Sequence, residues 1–163
     1  MKKNYDCSDL YEYAESVAEE AEGVKDIFCD HVSMDMSYCG SKYVSICKTD
    51  IWYAGGVSNE YVYGYVFDLN TGKKKSIAAV TGLTEEEIKE KLIASIKNDN
   101  EFKDCYDDYA EQVEGYVDGL EIKDMNYLID ENGQVVVLVL PYTEPFYGGW
   151  SRGFVLEGVA ITE

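Results

Sequence analysis

Between Tyr61 and Phe67 every second residue is aromatic. Tyr61, Tyr63, Tyr65 and Phe67 alternate with Val62, Gly64 and Val66. A two-residue period belongs to a pleated strand, whose side chains point to opposite faces in turn. A helix would scatter the same rings around its axis. Both sets are apolar or aromatic, so the pattern predicts a central strand, covered on both faces.

The same period runs upstream. Val32, Met34 and Met36 alternate with Ser33, Asp35 and Ser37. Cys39-Gly40-Ser41-Lys42 reads as a turn, and Tyr43 to Trp52 resumes as a strand rich in β-branched and aromatic residues. Gly55-Gly56 with Ser58-Asn59 marks the next connection. Asp68-Leu69-Asn70-Thr71-Gly72-Lys73 is a turn of Asp, Asn and Gly chemistry, leading to a short strand expected near Lys75 to Ala79.

Helical spacing then takes over. Thr84 and Glu87 form a capping box, and Ile88, Leu92, Ile93 and Ile96 trace one apolar face, so Thr84 to Lys97 is a helix. Asn98-Asp99-Asn100 breaks it. Phe102, Cys105, Tyr106, Tyr109, Ala110 and Val113 predict a further helix, ended by Gly115 and Gly119. Asn126 to Ile129 and Gln134 to Leu140 flank Asp130-Glu131-Asn132-Gly133, a hairpin signal. Pro141 to Gly149 is a loop, and Phe154 to Ile161 a last strand. Strands, consecutive helices and strands again give an α+β class: an antiparallel β-sheet with two or three helices packed on one face. Ser8 to Ala21 carries a thin apolar stripe (Leu10, Ala14, Val17, Ala18, Ala21), as a helix lying on a surface would. The chain thus divides into an N-terminal helical segment, 1–26, and one domain, 27–163.

Composition narrows the function. Lys and Arg number 14 against 32 Asp and Glu, a formal charge of −18. That sign opposes non-specific nucleic-acid binding and attraction to anionic membranes, and favours a cationic partner. No apolar run approaches the ~18 residues of a membrane helix, and the first residues are not an intact signal peptide. The chain is therefore either cytosolic or an ectodomain beginning after its leader. Five cysteines (Cys7, Cys29, Cys39, Cys47, Cys105) cannot all pair within one chain, and none forms a C-x-x-C motif. Free thiols are the simplest reading, and one disulfide of unassigned pairing stays open.

Catalytic and cofactor signatures are missing. The sole histidine, His31, beside Asp30, reads as a surface or sheet-edge residue. There is no G-x-S-x-G, no P-loop and no G-x-G-x-x-G. Asp68 and Asp130 open loops that look superficially like calcium sites. Their twelfth positions are Ala79 and Pro141, where a calcium loop needs a carboxylate, so both read as turns. Asp104, Asp107, Asp108, Glu111 and Glu114 fall opposite the apolar face of their helix, as a solvated face does. No metal or cofactor is expected.

Two aromatic, glycine-rich loops stand out. One carries Trp52, Tyr53, Gly55, Gly56 and Asn59, and the other Tyr142, Glu144, Phe146, Tyr147 and Trp150. Rigid aromatic side chains offer contact area to a ligand, and these ten residues are the candidate ligand-binding site. Aromatics of this kind also plug strand ends, since Tyr is amphipathic. Glu144 is either a loop carboxylate capping a backbone group or half of a catalytic pair.

An ordered set of features carries a resemblance: Tyr53-Ala54-Gly55-Gly56, the strand to Phe67, Asp68-Leu69-Asn70-Thr71-Gly72-Lys73, and Pro141-Tyr142-Thr143-Glu144-Pro145-Phe146-Tyr147-Gly148-Gly149. Over roughly Ser33 to Val159 the chain resembles a bacterial extracytoplasmic domain family. It is found C-terminally in RsiV-type anti-sigma factors and PdaC-type peptidoglycan deacetylases. Val57-Ser58-Asn59 stands where that family has Ala-His-Gly, and Glu144-Pro145 departs from its later loop. The resemblance implies an exported, non-catalytic module that binds a protein, such as cationic lysozyme, or a cell-wall glycan. A carboxylate enzyme acting on wall polysaccharide, or a spacer domain, are the competing expectations. Oligomeric state is left open.

Overall fold

The twelve-residue strands β1 (Phe28–Cys39), β2 (Tyr43–Ala54) and β3 (Val57–Asp68) form a long antiparallel meander in the order β1-β2-β3. This computed structural model describes residues 28–54 and 57–162. The expected helix at 8–21 lies outside them, as do Gly55 and Gly56.

Three helices follow: α1 (Ile77–Thr81), α2 (Glu85–Asn98) and α3 (Tyr106–Asp118). A second antiparallel sheet closes the chain, with β4 (Tyr127–Ile129), β5 (Val135–Val139) and β6 (Arg152–Val155) in the order β4-β5-β6. The class is α+β, as expected, with two three-stranded sheets where the sequence suggested one.

Local chemistry explains the elements. Glu87 N–H donates to the Thr84 hydroxyl at 3.3 Å, and Thr84 N–H donates to the Glu87 carboxylate at 2.8 Å, closing the capping box of α2. Ile88, Leu92 and Ile96 are its buried stripe. The strand expected near 75–79 is instead helix α1. Ser76 caps it by accepting from Ala79 N–H, and Gly82 ends it in the left-handed conformation at φ 75°. α3 begins at Tyr106, four residues later than Phe102, because residues 102–105 form turns. β6 stops at Val155 rather than reaching Ile161. Beyond it the chain turns through Gly158, and Thr162 N–H donates to Val80 O at 2.8 Å.

The core lies where α2 and α3 meet the short sheet. Ile88, Leu92, Ile96, Val113 and Val117 are fully buried together with Ile129 and Val135. The long sheet meets the short one through the face that carries Ser45 and Gly64. Ser45, fully buried, accepts from Ile129 N–H at 3.0 Å and from the Ser37 hydroxyl at 2.9 Å. Gly64 crosses β4 so closely that a Cβ would stand 1.8 Å from Tyr127 O.

β3 is therefore not central within its own sheet; it is an edge. Its rings at 61–67 are half-buried, and its outer backbone is sheathed by other segments. Glu60 N–H donates to Gly149 O at 2.7 Å, and Ser151 N–H to Glu60 O at 2.9 Å. Val62 N–H donates to Ser151 Oγ at 2.8 Å. The Asn126 carboxamide accepts from Gly64 N–H and donates to Val62 O, both at 2.9 Å. Lys75 N–H donates to Val66 O at 2.9 Å. A lone side-chain amide thus stands in for a strand, satisfying polar groups that would otherwise leave an exposed edge. Asn126→Ala leaves both partners unpaired and is expected to cost about 1–3 kcal/mol, read as a fall in urea midpoint. An unchanged midpoint would show that water replaces the amide without loss.

Candidate functional site

The two aromatic loops come together along the β3 edge. Register sets Trp52 opposite Asn59 and Tyr53 opposite Ser58. The Tyr142 hydroxyl donates to Asn59 Oδ1, linking the second loop to the first. Glu60 and Trp150 form a parallel bridge. Gly149 sits where a Cβ would lie 2.5 Å from Ser58 O, so only glycine lets the loop approach this closely.

The second loop is internally braced. Tyr142 adopts φ 58°, a left-handed conformation uncommon for a bulky residue, and its N–H donates to Gly148 O at 3.0 Å. The Glu144–Pro145 peptide is cis. The Tyr147 hydroxyl donates to Glu144 Oε1 at 2.7 Å. That hydrogen bond to the carboxylate holds the Tyr147 phenol above its ordinary pKa, with smaller contributions from burial and from charge on Glu144 and on Tyr109.

Exposure sorts the candidate residues. Tyr142, Tyr147 and Trp150 present 57%, 63% and 56% of their surface, and Glu144 is also exposed. Trp52, Tyr53 and Asn59 are half-buried. Phe146 does not belong on the surface. It is 1% exposed, with its ring centroid 5.1 Å from Phe102, 5.5 Å from Tyr116 and 5.3 Å from Phe154. Nothing in the sequence warned of this, because two of the partner rings, Phe102 and Tyr116, are 44 and 30 residues away and the third, Phe154, reaches it from strand β6. Phe146 is the plug that fixes the loop to the core, and Tyr142, Tyr147 and Trp150 stand around it.

The other sequence candidates resolve simply. Asp68 Oδ1 accepts from Asn70 N–H, Thr71 N–H and the Thr71 hydroxyl, and Asp130 Oδ1 from Asn132 and Gln134 N–H. Both carboxylates therefore brace their own turns. Burial alone would raise the Asp68 pKa, but the Thr71 bonds and then Lys75 outweigh it and lower the pKa. Asp104, Asp107, Asp108, Glu111 and Glu114 are all solvent-exposed. His31 is exposed on edge strand β1, as expected. Cys39, Cys47 and Cys105 are free thiols.

The structure also reveals surfaces that the loop motifs did not mark. A cleft of about 290 Å³ runs between the end of α3 and the short sheet, past Glu121, Asp124 and Asn126, and Thr143 also lines it. On the long sheet, Met34, Met36, Ile46, Tyr65 and Phe67 line a shallow hollow of about 450 Å³. Alternation in the sequence put Met34 with Met36 on one face of their strand and Tyr65 with Phe67 on one face of theirs, but it could not say that these faces adjoin or lie open. Among the described residues, no helix is long and apolar enough to cross a membrane, and no cluster of three or more His, Cys, Asp or Glu is placed to hold a metal. No protein-family model matches the chain, and no curated protein sequence matches it.

Proposed function

We propose that this chain is a non-catalytic extracytoplasmic recognition module of a bacterial cell envelope. It binds a cationic protein, of which lysozyme is the type, or a cell-wall glycan, through Tyr142, Tyr147 and Trp150. The observation that carries the reading is the exposure of these three aromatics on a loop whose base is pinned to the core and to β3. Large rings held rigidly lose little conformational entropy on binding, and they suit both sugar faces and the apolar parts of a protein surface. The charge of −18 favours a basic ligand. The sequence resemblance supports the compartment and the class of ligand.

An enzyme of the paired-carboxylate type draws less support, because Glu144 is exposed and hydrogen-bonded to Tyr147. The test is titration with lysozyme and with soluble peptidoglycan fragments, using Tyr147→Ala, Trp150→Ala and Tyr53→Ala. Loss of about tenfold or more in affinity is expected for Tyr147→Ala and Trp150→Ala, as for hot-spot aromatics. Affinity for lysozyme should also fall with added salt, as screening shortens to about 10 Å at 0.1 M. Full affinity in both loop variants would remove this surface from the site.

A further inference from the structure

We propose that two copies of this chain pair through β1, antiparallel about a twofold axis at Ser33, to make one continuous six-stranded sheet. The two edges of the long sheet differ. The β3 edge is sheathed by Gly149, Ser151, Asn126 and Lys75. Among the described residues, no backbone group pairs with the outer edge of β1 between Asp30 and Met36. A long unpaired strand edge is a template for another strand.

The register identifies which groups are on offer. The β3 groups that point away from β2 belong to Glu60, Val62, Gly64, Val66 and Asp68. Antiparallel pairing alternates sides at each residue. Following the β3–β2 and β2–β1 registers across, Ser33 and Asp35 bond to β2, while Asp30, Val32, Met34 and Met36 point outward. A bulge at Ser37 ends this run.

This segment is complementary to itself. With the twofold at Ser33, Val32 meets Met34 of the second copy, and each pair exchanges two hydrogen bonds. His31 then stands opposite the second copy's Asp35, and Asp30 opposite its Met36, so no two acids face each other directly. Val32 and Met34 are 55% and 65% exposed in the single chain, and the pairing covers part of that apolar surface. The assembly closes at two copies, because only the sheathed β3 edges are left at its ends. The aromatic loop lies along β3, at the opposite edge from the pairing, so both copies keep it free.

Each copy carries −18, so the pairing should tighten as salt screens the repulsion. Sedimentation of the full chain tests this, at concentrations up to about 1 mM, the weak end of specific association. A dimer is expected, with its dissociation constant falling severalfold between low and high salt. Met34→Pro removes one outward N–H and no bond to β2, a position where edge strands tolerate proline. It should be monomeric with an unchanged circular dichroism spectrum. Ser33→Asp sets like charges opposite at the axis and should also be monomeric, which guards against misfolding of the proline variant. Ser33→Cys should cross-link under mild oxidation, since opposed residues at a non-hydrogen-bonded position lie about 4.5 Å apart, within disulfide reach. A monomer at all concentrations overturns the proposal. So does a dimer that survives both Met34→Pro and Ser33→Asp.

Discussion

Gly64→Ala is expected to unfold the protein or to drive its two sheets apart. An added Cβ would lie 1.8 Å from Tyr127 O, 2.3 Å from Tyr127 C and 2.8 Å from Leu128 N. All three are backbone atoms of β4, so no rotamer change relieves the overlap. Ordinary overpacking costs about 1–3 kcal/mol because side chains give way. Here a strand must move, and that movement would break the Asn126 bonds to Val62 and Gly64 and the Ser45 bond to Ile129. The expected loss is at least about 4 kcal/mol, a large part of the roughly 5–15 kcal/mol that holds a domain together. Urea unfolding followed by circular dichroism measures it. A midpoint near that of the unaltered chain would mean that β3 and β4 do not cross at this distance.

Phe146→Ala is expected to cost about 3–5 kcal/mol, the usual range for a fully buried phenylalanine. The ring is edge-on to Phe102 and Tyr116 and tilted against Phe154, so its removal opens a cavity shared by α3, β6 and the turn before α3. Trp150→Ala provides the contrast. With 56% of its surface exposed, its truncation should shift stability by no more than about 0.5 kcal/mol while weakening ligand binding. A Phe146→Ala protein of nearly normal stability would place that ring in the binding surface after all.

Structure is legible in the sequence where one segment decides its own conformation. The capping box at Thr84, the stripe of Ile88, Leu92 and Ile96, the Asx turns at Asp68 and Asp130, and the strand alternation at 61–67 all rest on contacts a few residues apart. It is not legible where two signals compete locally. Lys75 to Ala79 carries residues that suit a strand, yet Ser76 and Gly82 sit at the spacing of a helix cap and a helix stop. The aromatic loops were likewise legible as motifs, and their meeting at Asn59 and Glu60 accords with both being candidates for one surface.

The sequence alone determined the α+β class, the order of the strands and helices apart from α1, and which side chains of one strand or helix share a face, because those follow from backbone periodicity and local hydrogen bonding. Only the tertiary structure decided that β3 is an edge sheathed by Asn126 and Ser151, that Phe146 faces inward while Tyr142, Tyr147 and Trp150 face outward, and that no described segment pairs with the outer edge of β1. Each of these depends on groups that are distant in sequence and meet only when the two sheets dock at Gly64. A periodic pattern can name the two faces of a strand, but it cannot say what, if anything, will cover them.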